Sequence, residues 1–123
     1  MVDSQGHLLG VVVHMANLHD TVSGIFTVEY KTTLYPSINR LFADSGYRGT
    51  FVDEVAEWKD LPVDIVKRKR KEPWNVLPKR WIVERTFSWL NGSRRLSKDY
   101  EITTSSAENM DMLSHIHTLL KRL

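Results

Sequence analysis

A chain of 123 residues has room for one domain of ordinary size and a modest core. Its apolar and charged shares, 41% and 26%, are those of a globular protein, and no run approaches the ~18 apolar residues of a membrane span. Cysteine is absent, which excludes disulfides, thiolate metal sites and a cysteine nucleophile. The net charge of +2 conceals an asymmetry. Residues 1–60 carry eight acids against four bases, whereas residues 61–123 carry thirteen bases against seven acids. A basic half beside an acidic half suits an enzyme of nucleic acids, with phosphate contacts on one side and metal ligands on the other. A cytoplasmic protein is expected: the apolar stretch near the start lacks the basic flank and cleavage site of a signal peptide.

In chain order, Met1–Val2 reads as the end of a strand that starts inside an element, the mark of a fragment. Ser4–Gly6 is a turn. Leu8–Met15, with three consecutive valines, reads as a buried strand. Residues 22–35 allow two readings. Ile25, Val28 and Leu34 fit a helix ended by Pro36, while Thr27, Val28, Thr32 and Thr33 favour a strand. INRLFAD is a short strand closed by Asp44, and SGYRG is a turn. In TFVDEVAEW, Phe51, Val55 and Trp58 recur at helical spacing, with Thr50 as the cap. LPVDIV is a strand that runs into the basic segment Lys67–Lys71, followed by a proline-bearing loop.

Residues 80–91 separate well on a helical wheel. Ile82, Val83, Thr86, Phe87, Trp89 and Leu90 fall on one broad side, and Arg80, Glu84, Ser88 and Asn91 on the other. A last helix starts near SSAEN, where Ser105 and Glu108 fit a capping box, and carries Met112, Leu113, Ile116, Leu119 and Leu120. The whole is a mixed α/β domain.

Three acids sit where rigid elements would hold them: Asp3 before a turn, Asp44 at a strand end and Glu84 on a helix. Together they could share two hard cations, which prefer oxygen ligands and clamp a phosphodiester from both sides. Singly, each is equally a solvated or turn-forming carboxylate. Arg48 follows a flexible Gly46 and could reach a phosphate, or merely cover the strand end. Lys67, Arg68, Lys69 and Arg70, with Lys79, Arg80, Arg85, Arg94, Arg95 and Lys98, form a phosphate track or a solvated face. Trp74 reads as a half-buried loop aromatic, with stacking on a base as the alternative. His115 and His117, two apart on a helix, point different ways and do not make a zinc pair. His14 and His19 read as structural.

The segments VDSQGHLLGVVVHMANLHD, ADSGYRG and RWIVERTFSWLNGSRRLSKDYE, in this order, resemble the C-terminal catalytic part of bacterial insertion-sequence transposases. These belong to the DDE superfamily, in the group named after insertion sequences four and five. The resemblance implies a ribonuclease-H-like mixed sheet flanked by helices, here with its first strand truncated, as a single catalytic domain over residues 1–123. It implies Asp3, Asp44 and Glu84 as the metal-binding catalytic acids, holding two Mg²⁺ or Mn²⁺ ions. It implies hydrolysis of DNA at transposon ends and attack of the freed 3′-hydroxyl on target DNA. Arg80 would orient Glu84 or contact phosphate. Expected partners are DNA, a second copy in a homodimer, and the product of an upstream reading frame if the full enzyme is made by frameshifting. The sequence departs from the family pattern at Leu77, often tyrosine, and at Asn91, often basic. The alternatives are an inactive remnant that binds DNA only through its charge, and a nuclease of the same fold.

Overall fold

The computed structural model describes residues 1–66, 79–98 and 100–123. The basic segment Lys67–Lys71, Trp74 and Leu77 lie outside the described residues. The architecture is α/β: among the described residues there are four α-helices and a two-stranded parallel sheet, compatible with part of a ribonuclease-H-like fold. The chain divides into two compact units. One is formed by residues 16–81, the other by residues 1–15 with 82–123.

The unit of residues 16–81 is a βαβ arrangement with a helix before it. Helix α1 spans Asp20–Leu34 and settles the ambiguity of residues 22–35. Its threonines do not force a strand because their hydroxyls donate to carbonyls of the preceding turn: Thr27 to Ser23, Thr32 to Val28 and Thr33 to Glu29. His19 caps the helix start by accepting from the Thr21 amide, in keeping with a structural role.

Strand β1, Leu41–Asp44, pairs in parallel with β2, Val63–Val66, in the register Leu41↔Val63 to Asp44↔Val66. Helix α2, Thr50–Lys59, makes the crossover. Its cap position is Gly49, at φ +71° and with no side-chain cap, so Thr50 is the first helical residue rather than the cap. Val28, Phe51, Val55 and Leu61 form the core, with Ile25, Ile38, Leu41 and Tyr47 packed around it. Trp58, expected with Phe51 and Val55, is 47% exposed under the Lys59 ammonium.

In the other unit the expected strand Leu8–Met15 is not formed. Its one ladder contact is an antiparallel bridge between Val2 and Leu8. Four amides of this segment find other acceptors. Leu9 and Gly10 donate to the Met1 carbonyl, Leu8 to His115 Nε2, and Val13 to Glu108 Oε1. β-branched residues favour extended backbone, but a strand needs a neighbouring strand, and here side chains of a helix take that place.

Helix α3 spans Arg80–Asn91, as the wheel indicated. Only Ile82, Thr86 and Leu90 are buried on it; Val83 and Phe87 are exposed, so the packed stripe is narrower than the apolar side. Helix α4 spans Thr104–Leu120. Its cap is Thr103, which accepts from the Ser106 amide, and not Ser105. Glu108 is turned to Val13 instead of closing a capping box. The residues α4 buries are Ser114 and His115, whereas Leu113, Ile116 and Leu120 are largely exposed.

Candidate active site

Asp3 lies in a turn that its own carboxylate organises. Oδ1 accepts from the amides of Gln5 and His7, both at 2.8 Å, and Oδ2 meets His7 Nδ1 at 3.1 Å. The backbone closes the turn through Asp3 N–H to His7 C=O and Gly6 N–H to Asp3 C=O. Gly6 sits at φ +84°, where a side chain would be strained, and its Cβ would come within 3.1 Å of Arg85 and Thr86. Burial alone would raise the Asp3 pKa; the His7 and Gln5 amides and the His7 ring outweigh it and hold the carboxyl below its ordinary value.

Glu84 is exposed on α3, one turn after Arg80. The two residues that follow it fasten the Asp3 turn to the same helix. Arg85 donates a guanidinium N–H to the Gln5 carbonyl, and the Thr86 hydroxyl donates to the Gly6 carbonyl at 2.7 Å. Thus the turn that bears Asp3 is anchored to the segment of α3 that bears Glu84. From the other side of the turn, buried His115 on α4 accepts from the Leu8 amide at 3.0 Å. Its ring lies 6.3 Å from that of His7.

Asp44 is the last residue of β1, in the other unit. It is exposed at the carboxyl end of a parallel strand, where α/β sheets place their ligands. Its Oδ1 accepts from the Gly46 amide at 2.8 Å, which orients the carboxylate and starts the 3₁₀ turn Ser45–Tyr47. Tyr47 packs its ring edge-on against Phe51 beside the core, and its phenol pKa is raised by burial first and then by the charges of Asp20 and Asp44.

The cationic candidates differ in how they are engaged. Arg48 is exposed after the 3₁₀ turn. Lys79, at φ +70°, holds its ammonium 5.5 Å from the Phe42 ring. Arg80 opens α3 and is exposed. Arg94, Arg95 and Lys98 follow the end of α3 and are exposed. Arg95 is paired with Glu101 at 2.9 Å and stacks toward Tyr100. Lys67, Arg68, Lys69 and Arg70 lie outside the described residues.

Asp3 and Glu84 therefore belong to one unit and Asp44 to the other. Among the described residues no three acidic or imidazole side chains stand close enough together to hold a metal ion. The donors themselves, carboxylates carried by a turn, a strand end and a helix, suit a hard divalent cation. Sequence reasoning missed the supporting groups. His7 carries a local signal, four residues after an aspartate in a turn. Thr86 and His115 carry none, since their partners are distant in the chain.

The strand-end aspartate and the helical glutamate, the latter followed by several arginines, thus sit on an α/β frame. The chain matches the model of the transposase DDE domain over residues 1–119, and it belongs to that family. No curated protein and no solved structure gives a significant match. The family acts on DNA as a transposase and generally uses divalent metal ions. Among the described residues no helix is long and apolar enough to cross a membrane.

Proposed function

We propose that the chain is a catalytic DDE domain of the insertion-sequence four/five type, both units being parts of one domain. It hydrolyses phosphodiesters at transposon ends, and the freed 3′-hydroxyl attacks a phosphodiester of target DNA, joining to its phosphorus and displacing a target 3′-hydroxyl. Asp3, Asp44 and Glu84 are the metal ligands, and the DNA is held by the basic residues of α3 and its flanks. A homodimer, or an assembly with an upstream reading-frame product, is the expected working form. Bound Mg²⁺ or Mn²⁺ would activate the attacking oxygen and stabilise the leaving one. The chain's own residues supply position. The Gly46 amide orients Asp44, and Arg85 and Thr86 tie the Asp3 turn to the helix of Glu84. That tie is the observation that carries the reading, because it links two of the three acids through residues adjacent to the third position of the motif.

Mn²⁺ titration by calorimetry tests it, with Asp44→Ala, Glu84→Ala and Asp3→Asn beside the parent chain. Binding should vanish in the first two. Asp3→Asn keeps an oxygen for the Gln5 and His7 amides and so preserves the turn while removing the ligand charge. If this variant binds Mn²⁺ as the parent does, Asp3 is a turn former only. A second reading, a DNA-binding module without metal chemistry, is favoured by the exposed cations Arg80, Arg94, Arg95 and Lys98 on and after α3. It predicts no Mn²⁺ binding and an affinity for DNA that falls steeply with salt.

A further inference from the structure

Two adjacent arginines follow α3 in the 3₁₀ turn Arg94–Leu96. Such a turn advances about 120° per residue, so the two side chains leave it on different sides. They are also engaged differently. Arg95 donates its Nε–H to Glu101 Oε1 at 2.9 Å, and its Nη2 meets the same oxygen at 2.9 Å. The other Glu101 oxygen accepts from the Ser106 hydroxyl. Ser106 lies in the first turn of α4, where its amide donates to the cap residue Thr103. Arg95 is therefore one end of a chain of bonds that ties the 3₁₀ turn to the start of α4. All of these residues belong to the unit of residues 1–15 and 82–123. Among the described residues no ion pair or ring contact engages Arg94.

The two charges are not equivalent toward a phosphate. The Ser106 hydroxyl first, and then Arg95, hold the Glu101 carboxyl below its ordinary value, so Glu101 is charged at neutral pH. A phosphodiester brought to Arg95 meets this carboxylate fixed on the same guanidinium, which cancels the attraction at a distance and repels the phosphate at contact. To pair fully with phosphate, Arg95 must release Glu101 and loosen the tie to Ser106. Arg94 offers its whole charge and its planar donors without breaking any such bond.

We propose that Arg94 contacts the DNA backbone, whereas Arg95 is a positioning residue that holds the turn presenting Arg94. The inference rests on DNA being the substrate, and it divides between two neighbours a role that the sequence pattern offers to both.

The test is binding of the 123-residue chain to a labelled duplex oligonucleotide of arbitrary sequence, beside amide exchange of each variant. Anisotropy is read over a range of KCl concentrations in EDTA. Arg94→Gln should weaken binding several-fold and flatten the plot of log affinity against log salt by about 0.9, the release expected for one phosphate. Its Ser106 and Ala107 amides should exchange as in the parent. Arg95→Gln removes an equal charge one residue away. It should keep the parent slope and speed the exchange of those two amides. Arg95→Lys, which can still pair with Glu101, should exchange more slowly than Arg95→Gln. The proposal is overturned if Arg95→Gln flattens the slope as Arg94→Gln does, which makes the effect one of bulk charge. A parent slope in Arg94→Gln, or parent exchange in Arg95→Gln, overturns it as well. The DNA reading fails in a different way. A parent chain that does not bind the duplex sinks that reading and the Arg94 contact with it, while exchange still decides the role of Arg95. Because EDTA removes metal, Mn²⁺ binding bears on the catalytic reading alone.

Discussion

Thr86→Val replaces a hydroxyl by a methyl of nearly the same size, so it removes a hydrogen bond without opening a cavity. Thr86 is 2% exposed, and its hydroxyl approaches two carbonyls, Gly6 at 2.7 Å and Ile82 at 3.1 Å. One proton cannot serve both fully. The Ile82 carbonyl already accepts within the helix, so the Gly6 bond is the one that matters. Gly6 is buried, and without Thr86 its carbonyl keeps no hydroxyl donor. A buried acceptor left unpaired costs about 1–3 kcal/mol. At about 2.1 cal/mol/K per residue of unfolding entropy, 1 kcal/mol corresponds to about 4 °C for this length, so Tm should fall by about 4–12 °C. The loss should be local. Amide exchange of Gly6 and His7 should accelerate, while the amides of Phe51 and Val55 in the other unit keep their protection. Thr86→Ser retains the donor and loses one methyl, about 0.8 kcal/mol. The anchoring role is refuted if Thr86→Val protects the turn as the parent does, or if Thr86→Ser is equally damaging.

Two further predictions address the supports of each unit. His115 must be neutral to accept from Leu8. Burial foremost, then the charge of His7 and that of Arg122, lower its pKa, with Asp3 opposing. Unfolding then takes up a proton. The stability it contributes is complete above the ordinary histidine value of about 6.5 and is lost as pH falls from there through the folded pKa. His115→Gln offers the Leu8 amide an acceptor that does not titrate, so urea unfolding across this range should show a shallower pH dependence than the parent; identical slopes would refute the assignment. Gly24 in α1 faces the ring of Tyr47, and an added Cβ would lie 2.7 Å from Tyr47 Cε1 and 3.0 Å from Phe51 Cε2. Gly24→Ala should cost about 1–3 kcal/mol by overpacking, against the usual gain of alanine in a helix. In a double-mutant cycle with Tyr47→Ala the two losses should add to less than their sum, and strict additivity would rule out the clash.

The parts of the protein that depend on neighbours within a few turns of chain were legible in the sequence. Helix α3 has the bounds its wheel gives, and β1 ends at Asp44, because an apolar period or a short apolar run closed by a turn needs no distant partner to be recognised. The segments ADSGYRG and RWIVERTFSWLNGSRRLSKDYE, in this order after VDSQGHLLGVVVHMANLHD, carried the resemblance to the family. Tertiary structure decided what those residues touch. Leu8–Met15 has the composition of a strand, yet its Leu8 and Val13 amides are taken by His115 and Glu108 from the far end of the chain. The β-rich threonines of α1 yielded to a helix whose turns accept their hydroxyls and whose Val28 and Thr32 are buried. His115, read only as not forming a zinc pair with His117, is a buried acceptor. Arg122 drew no reading from the sequence, yet its guanidinium carbon lies 3.8 Å from the centre of the Trp89 ring. Local propensity is a sum over adjacent residues, whereas these roles are pair interactions between groups that only the folded chain brings within hydrogen-bonding or ring-contact distance.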